Sequence, residues 1–485
     1  MVINRKETLS LLALPIALMG FVQLTFAFLS LSIFHDHEEV FFLGPALTMI
    51  IVATLLFSQS HKYDFSKINS RDSLIFAALT WISIGLLGAV PIILIAGTSI
   101  TDGIFESISA VTTTGATMLS GLDQLPKSFL LYRQFLQWLG GLGVVIFVVA
   151  VLPMLNVGGM KLLKAETVGP VKNEKLSPRI ASTAHYLWMV YVVITALCAL
   201  GYYLGGMSSF DALGHSFSTV STGGFSTHDA SMGYFGSGTL LLISDIFMLL
   251  GAISFALHFK MARARTFAMY WQDEETRIFI LLILGIALFV TVIIAHSSGA
   301  PTLLSAINYA LFHVISFITS TGFGATGFND WPIAATLLLV FAGYMGGCAG
   351  STAGGNKIIR NILSFKVIIH ELKRLVNPKG VFAIKYQGQA VESSVLQATM
   401  AFMTIVAFTS FAFTLALMAT GLDFWEAFTA VAACLNVLGP AFGALGSNFQ
   451  PVSDAGTWLL SGAMILGRLE YFTLLALLLP GFWRS

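Results

Sequence analysis

Charge is what this 485-residue chain has least of: Asp, Glu, Lys and Arg together make up 10% of it, against 56% hydrophobic residues. At a mean hydropathy of +0.84, too little polar surface remains to solvate a water-soluble fold of this length. A formal net charge of +1 leaves no strongly basic domain to meet a phosphate backbone, which excludes nucleic acid as a partner. Cysteine is scarce as well. Cys198, Cys348 and Cys434 form an odd, scattered set inside apolar segments and fit neither a disulfide framework nor a zinc site. No nucleophile and base stand at motif spacing, so the chain does not read as an enzyme and calls for no cofactor of its own.

What it has in abundance is long apolar runs. The first, Leu9 to Phe34, follows Arg5 and Lys6, exceeds the length of a signal-peptide core and lacks a small-residue cleavage site, so it reads as a retained transmembrane helix. A second span covers about Val40 to Leu56. From about residue 70 a unit recurs: long apolar helix, short polar-capped helix, Gly/Ser/Thr loop, long apolar helix. The outer helices are expected near 73–98 and 129–158, 181–206 and 237–261, 276–297 and 332–365, 394–420 and 455–481. The expected fold is an all-α polytopic membrane protein, with two N-terminal helices and four tandem helix/pore-loop/helix repeats forming a pseudo-fourfold ion pore. It has ten spans and four re-entrant pore loops. The boundaries read as an appendage over 1–69, then repeats over 70–175, 176–270, 271–390 (with a glycine-rich intramembrane loop) and 391–485.

Lys and Arg concentrate around Lys62 and Arg71, from Lys161 to Arg179, from Lys260 to Arg277, from Lys357 to Lys385 and at the termini. The opposite side holds only Lys127 and Arg133. By the positive-inside rule both termini and the basic loops are cytoplasmic, and the glycine loops open from outside.

The loops are Thr113-Thr114-Gly115, Ser221-Thr222-Gly223, Ser320-Thr321-Gly322 and, departing from the others, Asn436-Val437-Leu438-Gly439 followed by Pro440. Such sequences make poor lipid-facing helix, and irregular backbone inside a membrane must line a watery cavity or be buried in protein. Glycine permits the positive φ that turns successive carbonyls toward one axis, while the Ser and Thr hydroxyls either add oxygens or bond the loop from behind. A ring of neutral oxygens matches a partly dehydrated monovalent cation; divalent ions favour carboxylates. Asp102 and Glu106, Asp211, and Asp423 and Glu426 open three of the short helices as expected caps, whereas the third offers Ser305 and Asn308. The negative C-terminal ends of all four helices then converge on the loops.

Two further features stand apart. In the second helix of the third unit lies Gly346-Gly347-Cys348-Ala349-Gly350-Ser351-Thr352-Ala353-Gly354-Gly355-Asn356-Lys357, too glycine-rich to hold a helix and without the Gly-Lys-Ser/Thr of a phosphate loop. It reads either as close helix packing or as a broken, intramembrane segment. Arg468 lies in the last apolar span and must be paired or wet, with Glu470 as a possible partner of either Arg468 or Lys357. The cluster from His35 to Glu39 reads as a solvated outer turn, and His215 and His313 as hydrogen-bonded core residues.

Four such units with a single glycine filter each, behind two leading helices, resemble the bacterial Trk/Ktr potassium-transporter superfamily over essentially the whole chain, the TrkH type more than the shorter KtrB type. The resemblance implies potassium transport across the bacterial inner membrane through a gated, channel-like pore, with rubidium admitted and sodium more weakly. A proton- or sodium-coupled symporter is the alternative. It further implies potassium-binding filter positions at Thr113, Thr114, Gly115, Ser221, Thr222, Gly223, Ser320, Thr321, Gly322, Asn436, Val437, Leu438 and Gly439. A gate is implied at Gly346, Gly347, Gly350, Ser351, Thr352, Gly354, Gly355 and Arg468, with Lys357 and Glu470 as gate partners. A homodimer surrounded by membrane lipid and a TrkA-like cytosolic nucleotide-binding regulatory subunit are implied in the same way.

Overall fold

The computed structural model describes residues 11–60, 70–150, 177–297, 302–380 and 382–483. Arg5, Lys6, Lys62, Lys67 and the basic stretch 161–176 lie outside them. Helix α1 (Ala13–Leu29) continues as one π-helical turn, Ser30–Phe34, and returns as α2 (Glu39–Ser60). The outer turn is more than a solvated loop. Asp36 accepts hydrogen bonds from Ser30 Oγ (2.5 Å) and from the Ser128 backbone N–H (2.9 Å), which clips the hairpin to the first repeat. Deeper down, buried Gln23 donates to Leu87 O at 3.0 Å and to Tyr132 Oη at 3.2 Å, and the Phe26 ring meets Phe42 and Tyr132.

The first repeat comprises α3 (Ser70–Ala96), α4 (Ile100–Val111) and α5 (Lys127–Ala150). The second has α6 (Ser177–Leu204), α7 (Ser209–Val220), α8 (Gly238–Ala252) and α9 (Phe255–Ala264), with the short α10 (Ala268–Gln272) after it. The third has α11 (Glu274–His296), α12 (Leu303–Ile318), α13 (Ile333–Met345) and α14 (Ile358–Val376). A two-stranded antiparallel hairpin, β1 (Lys385–Tyr386) with β2 (Gln389–Ala390), leads to the fourth repeat. That repeat holds α15 (Ser393–Met418), α16 (Phe424–Leu435), α17 (Asp454–Arg468), α18 (Tyr471–Leu478) and the short α19 (Pro480–Trp483).

Among the described residues six helices are long and apolar enough to cross a membrane, and two further pairs are sharply bent. The bends correct the expectation of continuous spans over 237–261 and 455–481: α8 meets α9 at 99° and α17 meets α18 at 115°. Each has a cause outside its own helix. Ala252 O, which would bond onward along the helix, instead accepts from Cys348 N at 2.9 Å, and Phe255 N donates to Gly350 O at 3.1 Å. In the last span Glu470 takes a left-handed φ of 58° and reaches sideways to Arg360, 2.8 Å away.

Through the loops that follow the short helices the repeats are joined in a closed circuit. Leu122 N donates to the Asp229 carboxylate (3.1 Å), linking units one and two, and Gly233 N to Gly324 O (3.1 Å), linking two and three. Gly443 N donates to Asn329 Oδ1 (2.9 Å) between three and four, and Phe449 N to Thr117 O (2.9 Å) between four and one. The donors are backbone N–H groups in or beside loops, and those of buried Leu122 and Phe449 would be costly to leave without a partner.

Candidate ion pathway

Each short helix ends in the same way. After the C-caps Thr112, Ser221, Thr319 and Asn436 comes one residue in the left-handed region: Thr113 (φ 58°), Thr222 (54°), Ser320 (56°) and Val437 (57°). The next residue then donates its N–H five residues back, Thr114 to Ser109 O (2.9 Å), Gly223 to Ser218 O (2.7 Å), Thr321 to Ser316 O (2.8 Å) and Leu438 to Ala433 O (2.7 Å). Positive φ is costly for any side chain and most so for β-branched ones, yet three of these four residues are β-branched. Strain repeated at four equivalent positions marks a backbone path held by the whole assembly.

This pattern fixes the register and corrects one expectation. The glycines at positive φ are Gly115 (83°), Gly224 (79°), Gly322 (79°) and Gly439 (99°); Gly223, expected in that role, is not among them. Ser221 accordingly matches Thr112 rather than Thr113. Loop four, despite Val437, Leu438 and Pro440, follows the same path as the other three.

The four glycines interlock head to tail. A Cβ on Gly115 would overlap Gly223 O, one on Gly224 would overlap Thr321 O, one on Gly322 would overlap Leu438 O, and one on Gly439 would lie 2.6 Å from Thr114 O. The circuit closes on itself, and one cavity of about 840 Å³ borders it, lined by Gly115, Gly224, Gly322 and Gly439. Hydroxyls play a supporting part. Thr114 Oγ1 bonds Thr112 Oγ1 (2.7 Å), Thr321 Oγ1 bonds Thr319 Oγ1 (2.8 Å), and Thr222 Oγ1 donates to Ser221 O (2.7 Å). These three hydroxyls are engaged within their own loops, whereas Thr113 Oγ1 is buried without a partner, so the oxygens the ring can offer a cation are backbone carbonyls and that hydroxyl.

Three of the helix N-termini are capped by hydroxyls, in the first and second in place of the expected acids, and the fourth has the expected Asp423 at its cap. Ser99 Oγ accepts from Asp102 N (3.1 Å), Ser208 Oγ from Asp211 N (3.1 Å) and Thr302 Oγ1 from Ser305 N (3.2 Å), while Asp423 occupies the fourth cap without a side-chain bond. A short hydroxyl at the cap reaches the third N–H, and the acids at that third position add charge at the positive helix end; Asp211 also accepts from Ser208 Oγ and Thr227 Oγ1 (both 2.7 Å). Glu106 sits a turn further in, fully buried. It accepts from Thr117 Oγ1 (3.0 Å), Met118 N (2.9 Å) and Arg133 Nε (3.0 Å), and Arg133 in turn lies over the Phe225 ring, 4.1 Å from its centre.

From the same helix α5, Gln137 brackets the second loop, donating to Gly223 O (2.6 Å) and accepting from Phe225 N (3.1 Å). Neither Gln137 nor Arg133 stood out in the sequence as a loop support. His215 and His313 bridge their short helices to the outgoing chain, His215 to Asp211 O and Ser226 Oγ (both 2.9 Å), His313 to Tyr309 O (2.7 Å) and Ala325 N (3.3 Å). These are core hydrogen bonds, and among the described residues no group of three metal-capable side chains gathers.

Beneath the ring, the span breaks between Met345 and Ile358, and the glycine-rich stretch packs against the inner ends of the loops. Gly354 N donates to Ser320 Oγ (2.6 Å), Gly355 N to Asn436 O (3.1 Å), and Thr352 Oγ1 to Val220 O (3.0 Å). Gly346, Gly350 and Gly355 all take φ of 74°, and a Cβ on Gly347 would stand 3.0 Å from Ala252 O. Ser351 Oγ turns back to Cys348 O (2.6 Å). Arg468 reaches this segment from the other side: its guanidinium donates to Thr352 O (3.0 Å) and to Gly140 O (3.2 Å), so it joins the stretch to the first repeat. Glu470 does not pair with Arg468 or hydrogen-bond to Lys357. It pairs with Arg360, which lies over the Phe402 ring at 3.9 Å, while Lys357 Nζ donates to Ala353 O. Two backbone carbonyls take the terminal nitrogens of Arg468, while its buried Nε has no hydrogen-bond partner.

Four re-entrant hairpins around one cavity, with a broken span on the other side of their ring, define a polytopic membrane transport protein of the pore-loop kind. The model of the TrkH family, cation transport proteins, matches residues 37–480, and the chain belongs to that family. It is 43% identical to the Trk system potassium uptake protein TrkH of Vibrio parahaemolyticus over 99% of each chain. Identity to TrkH of Escherichia coli strain K12 is 42%, covering 93% of this chain and 94% of that one, and to TrkH of Halomonas elongata 44%, covering 91% and 92%. The crystal structure of the potassium transporter TrkH from Vibrio parahaemolyticus superimposes with a TM-score of 0.90 at 40% identity, covering 99% of this chain and all of that one.

Proposed function

We propose that the chain takes up potassium across the bacterial inner membrane through a gated, channel-like pore whose candidate filter is the ring of four glycine loops. The observation that carries this reading is the closed head-to-tail circuit of Gly115, Gly224, Gly322 and Gly439 around one cavity. Short-helix C-termini aimed at such a ring favour a cation, and neutral carbonyls suit a monovalent one. The relatives named as potassium uptake proteins support the choice of ion. Filter residues are then Thr113–Gly115, Ser221–Gly224, Ser320–Gly322 and Asn436–Gly439, and the loops open to the outside with both termini cytoplasmic.

In the same reading, the segment 346–355 and Arg468 form the gate. The segment fills the space under the ring, and a guanidinium on the path raises the barrier to any cation. A TrkA-like nucleotide-binding subunit acting from the cytosol and a homodimeric assembly complete the proposal. Rubidium-86 uptake into proteoliposomes, with potassium, proton and sodium gradients set independently, tests it. Uptake should follow the potassium gradient alone; uptake driven by a proton or sodium gradient at zero potassium driving force would establish coupled symport instead. Arg468→Ala and a deletion within 346–355 should each raise resting flux, and wild-type flux in both would remove the gate.

A further inference from the structure

We propose that Glu275 is the latch that holds the intramembrane segment in place beneath the ring. The inference rests on the gate reading above and adds to it the positioning residue that keeps the gate shut. Glu275 lies in the first turn of α11, outside the segment itself, and is 2% exposed. One of its oxygens, Oε1, accepts two backbone hydrogen bonds, from Ala349 N at 2.8 Å and from Ile359 N at 3.0 Å. Those two N–H groups belong to opposite limbs of the excursion between α13 and α14, so a single carboxylate oxygen staples its entry to its exit.

The chemistry of the two donors explains why an anion sits there. Ile359 is in the first turn of α14, where backbone N–H groups have no partner within the helix and the helix end favours negative charge. Ala349 lies in the irregular stretch just before the turn at Gly350 (φ 74°), outside any helix, and its N–H finds its acceptor in Glu275. A carboxylate makes stronger bonds to both than a neutral group does. The segment has other ties, to its own flanks, to the ring, to the α8–α9 bend and to Arg468: Ile358 N donates to Gly347 O (2.9 Å), Asn356 N to Tyr344 O (3.0 Å), Gly354 N to Ser320 Oγ (2.6 Å), Cys348 N to Ala252 O (2.9 Å) and Arg468 to Thr352 O (3.0 Å), but none of these joins its two limbs through one acceptor on α11. Glu275 anchors it to the base of a different helix.

The same turn of α11 faces the cytoplasmic hairpin. Asp273 Oδ1 accepts from Gln387 Nε2 (2.9 Å), Glu274 Oε2 accepts from Gln387 N (2.9 Å), and Glu274 also pairs with Lys366. Three consecutive acids therefore hold the hairpin with the first two and the segment with the third. Movement of the hairpin from the cytosolic side is transmitted to the latch through one helical turn.

Cys348, 1% exposed and next to Ala349, supplies a native reporter, and buried Cys198 and Cys434 supply internal controls. The experiment compares the full-length wild type with Glu275→Ala, which removes the acceptor, and Glu275→Gln, which keeps an uncharged one. Maleimide labelling rates at each cysteine, mapped by mass spectrometry, are read beside resting rubidium-86 flux in proteoliposomes. Glu275→Ala is expected to label Cys348 about tenfold faster or more and to raise resting flux, with Cys198 and Cys434 still silent and Glu275→Gln in between on both measures. Wild-type labelling of Cys348 in Glu275→Ala overturns the latch, as does labelling of all three cysteines, which would mean that Glu275 maintains the fold at large. Faster Cys348 labelling without a rise in flux upholds the latch and instead removes the gating role of the segment.

Discussion

Gly224→Ala is the perturbation that separates the structural register from the one a reader of the sequence would choose. Gly224 has a φ of 79°, and a Cβ added there overlaps Thr321 O and stands 3.0 Å from the Thr321 carbonyl carbon. The left-handed region costs an alanine about 1–2 kcal/mol. Pushing a neighbouring backbone aside in a packed site adds roughly 1–3 kcal/mol. Gly223→Ala meets a different obstacle. Its φ is not positive, and its Cβ would lie 2.5 Å from Gln137 Cδ, the far end of a flexible side chain that can swing away. The cost there is the pair of Gln137 bonds, to Gly223 O and from Phe225 N, together about 1–2 kcal/mol before the same relaxation. Since about 1.4 kcal/mol is a factor of ten, Gly224→Ala should lower discrimination between potassium and sodium by roughly five- to seventyfold even if half of its cost is relieved by relaxation. Gly223→Ala should lower it several-fold at most. The assay is rubidium-86 influx in proteoliposomes with potassium or sodium as competitor, normalised to incorporated protein. A Gly223→Ala defect as large as that of Gly224→Ala, or a silent Gly224→Ala, would refute the register and the interlocking ring with it.

Other outcomes follow from the supports around the ring. Arg133→Ala leaves the fully buried Glu106 carboxylate without its cation and should cost about 3–5 kcal/mol, visible as a lower thermal midpoint in detergent; an unchanged midpoint would mean the pair is not a structural tie. Gln137→Leu removes both bonds that bracket Gly224 and should relax potassium selectivity while uptake persists, measured by the same competition assay; retained selectivity would show that loop two holds its path unaided. Glu470→Gln breaks the Arg360 pair, whose side chains are 19% and 26% exposed, so its effect on stability should stay below about 1 kcal/mol, and a large drop in the thermal midpoint would contradict that environment.

How much of this was legible before any coordinate follows a physical line. The four loops could be read because their cause is local: glycine and small hydroxyl residues set among apolar helices announce backbone that cannot face lipid. The hydroxyl caps were equally local and were open to view in Ser99-Ile100-Thr101-Asp102 and Ser208-Ser209-Phe210-Asp211, where the hydroxyl, not the acid, holds the capping position. The register of loop two was not legible, since Gly223 and Gly224 are chemically identical in a string of letters and only the bond from Gly223 N to Ser218 O decides between them. The bends after Ala252 and Arg468 were hidden for a stronger reason. The first exists because residues 348–350 of another repeat take over the hydrogen bonds of α8, and at the second Glu470 pairs with Arg360, also from another repeat. Nothing in residues 237–261 or 455–481 alone calls for either bend. Local chemistry thus writes the fourfold frame, and contacts between distant repeats write the departures from it. The departures cluster under the ring, at Thr352, Arg468, Glu275 and the bent spans. A gate in a symmetric frame requires such asymmetry, because a segment that obstructs one axis can come from only one of the four quarters, and the other three must be shaped to receive it.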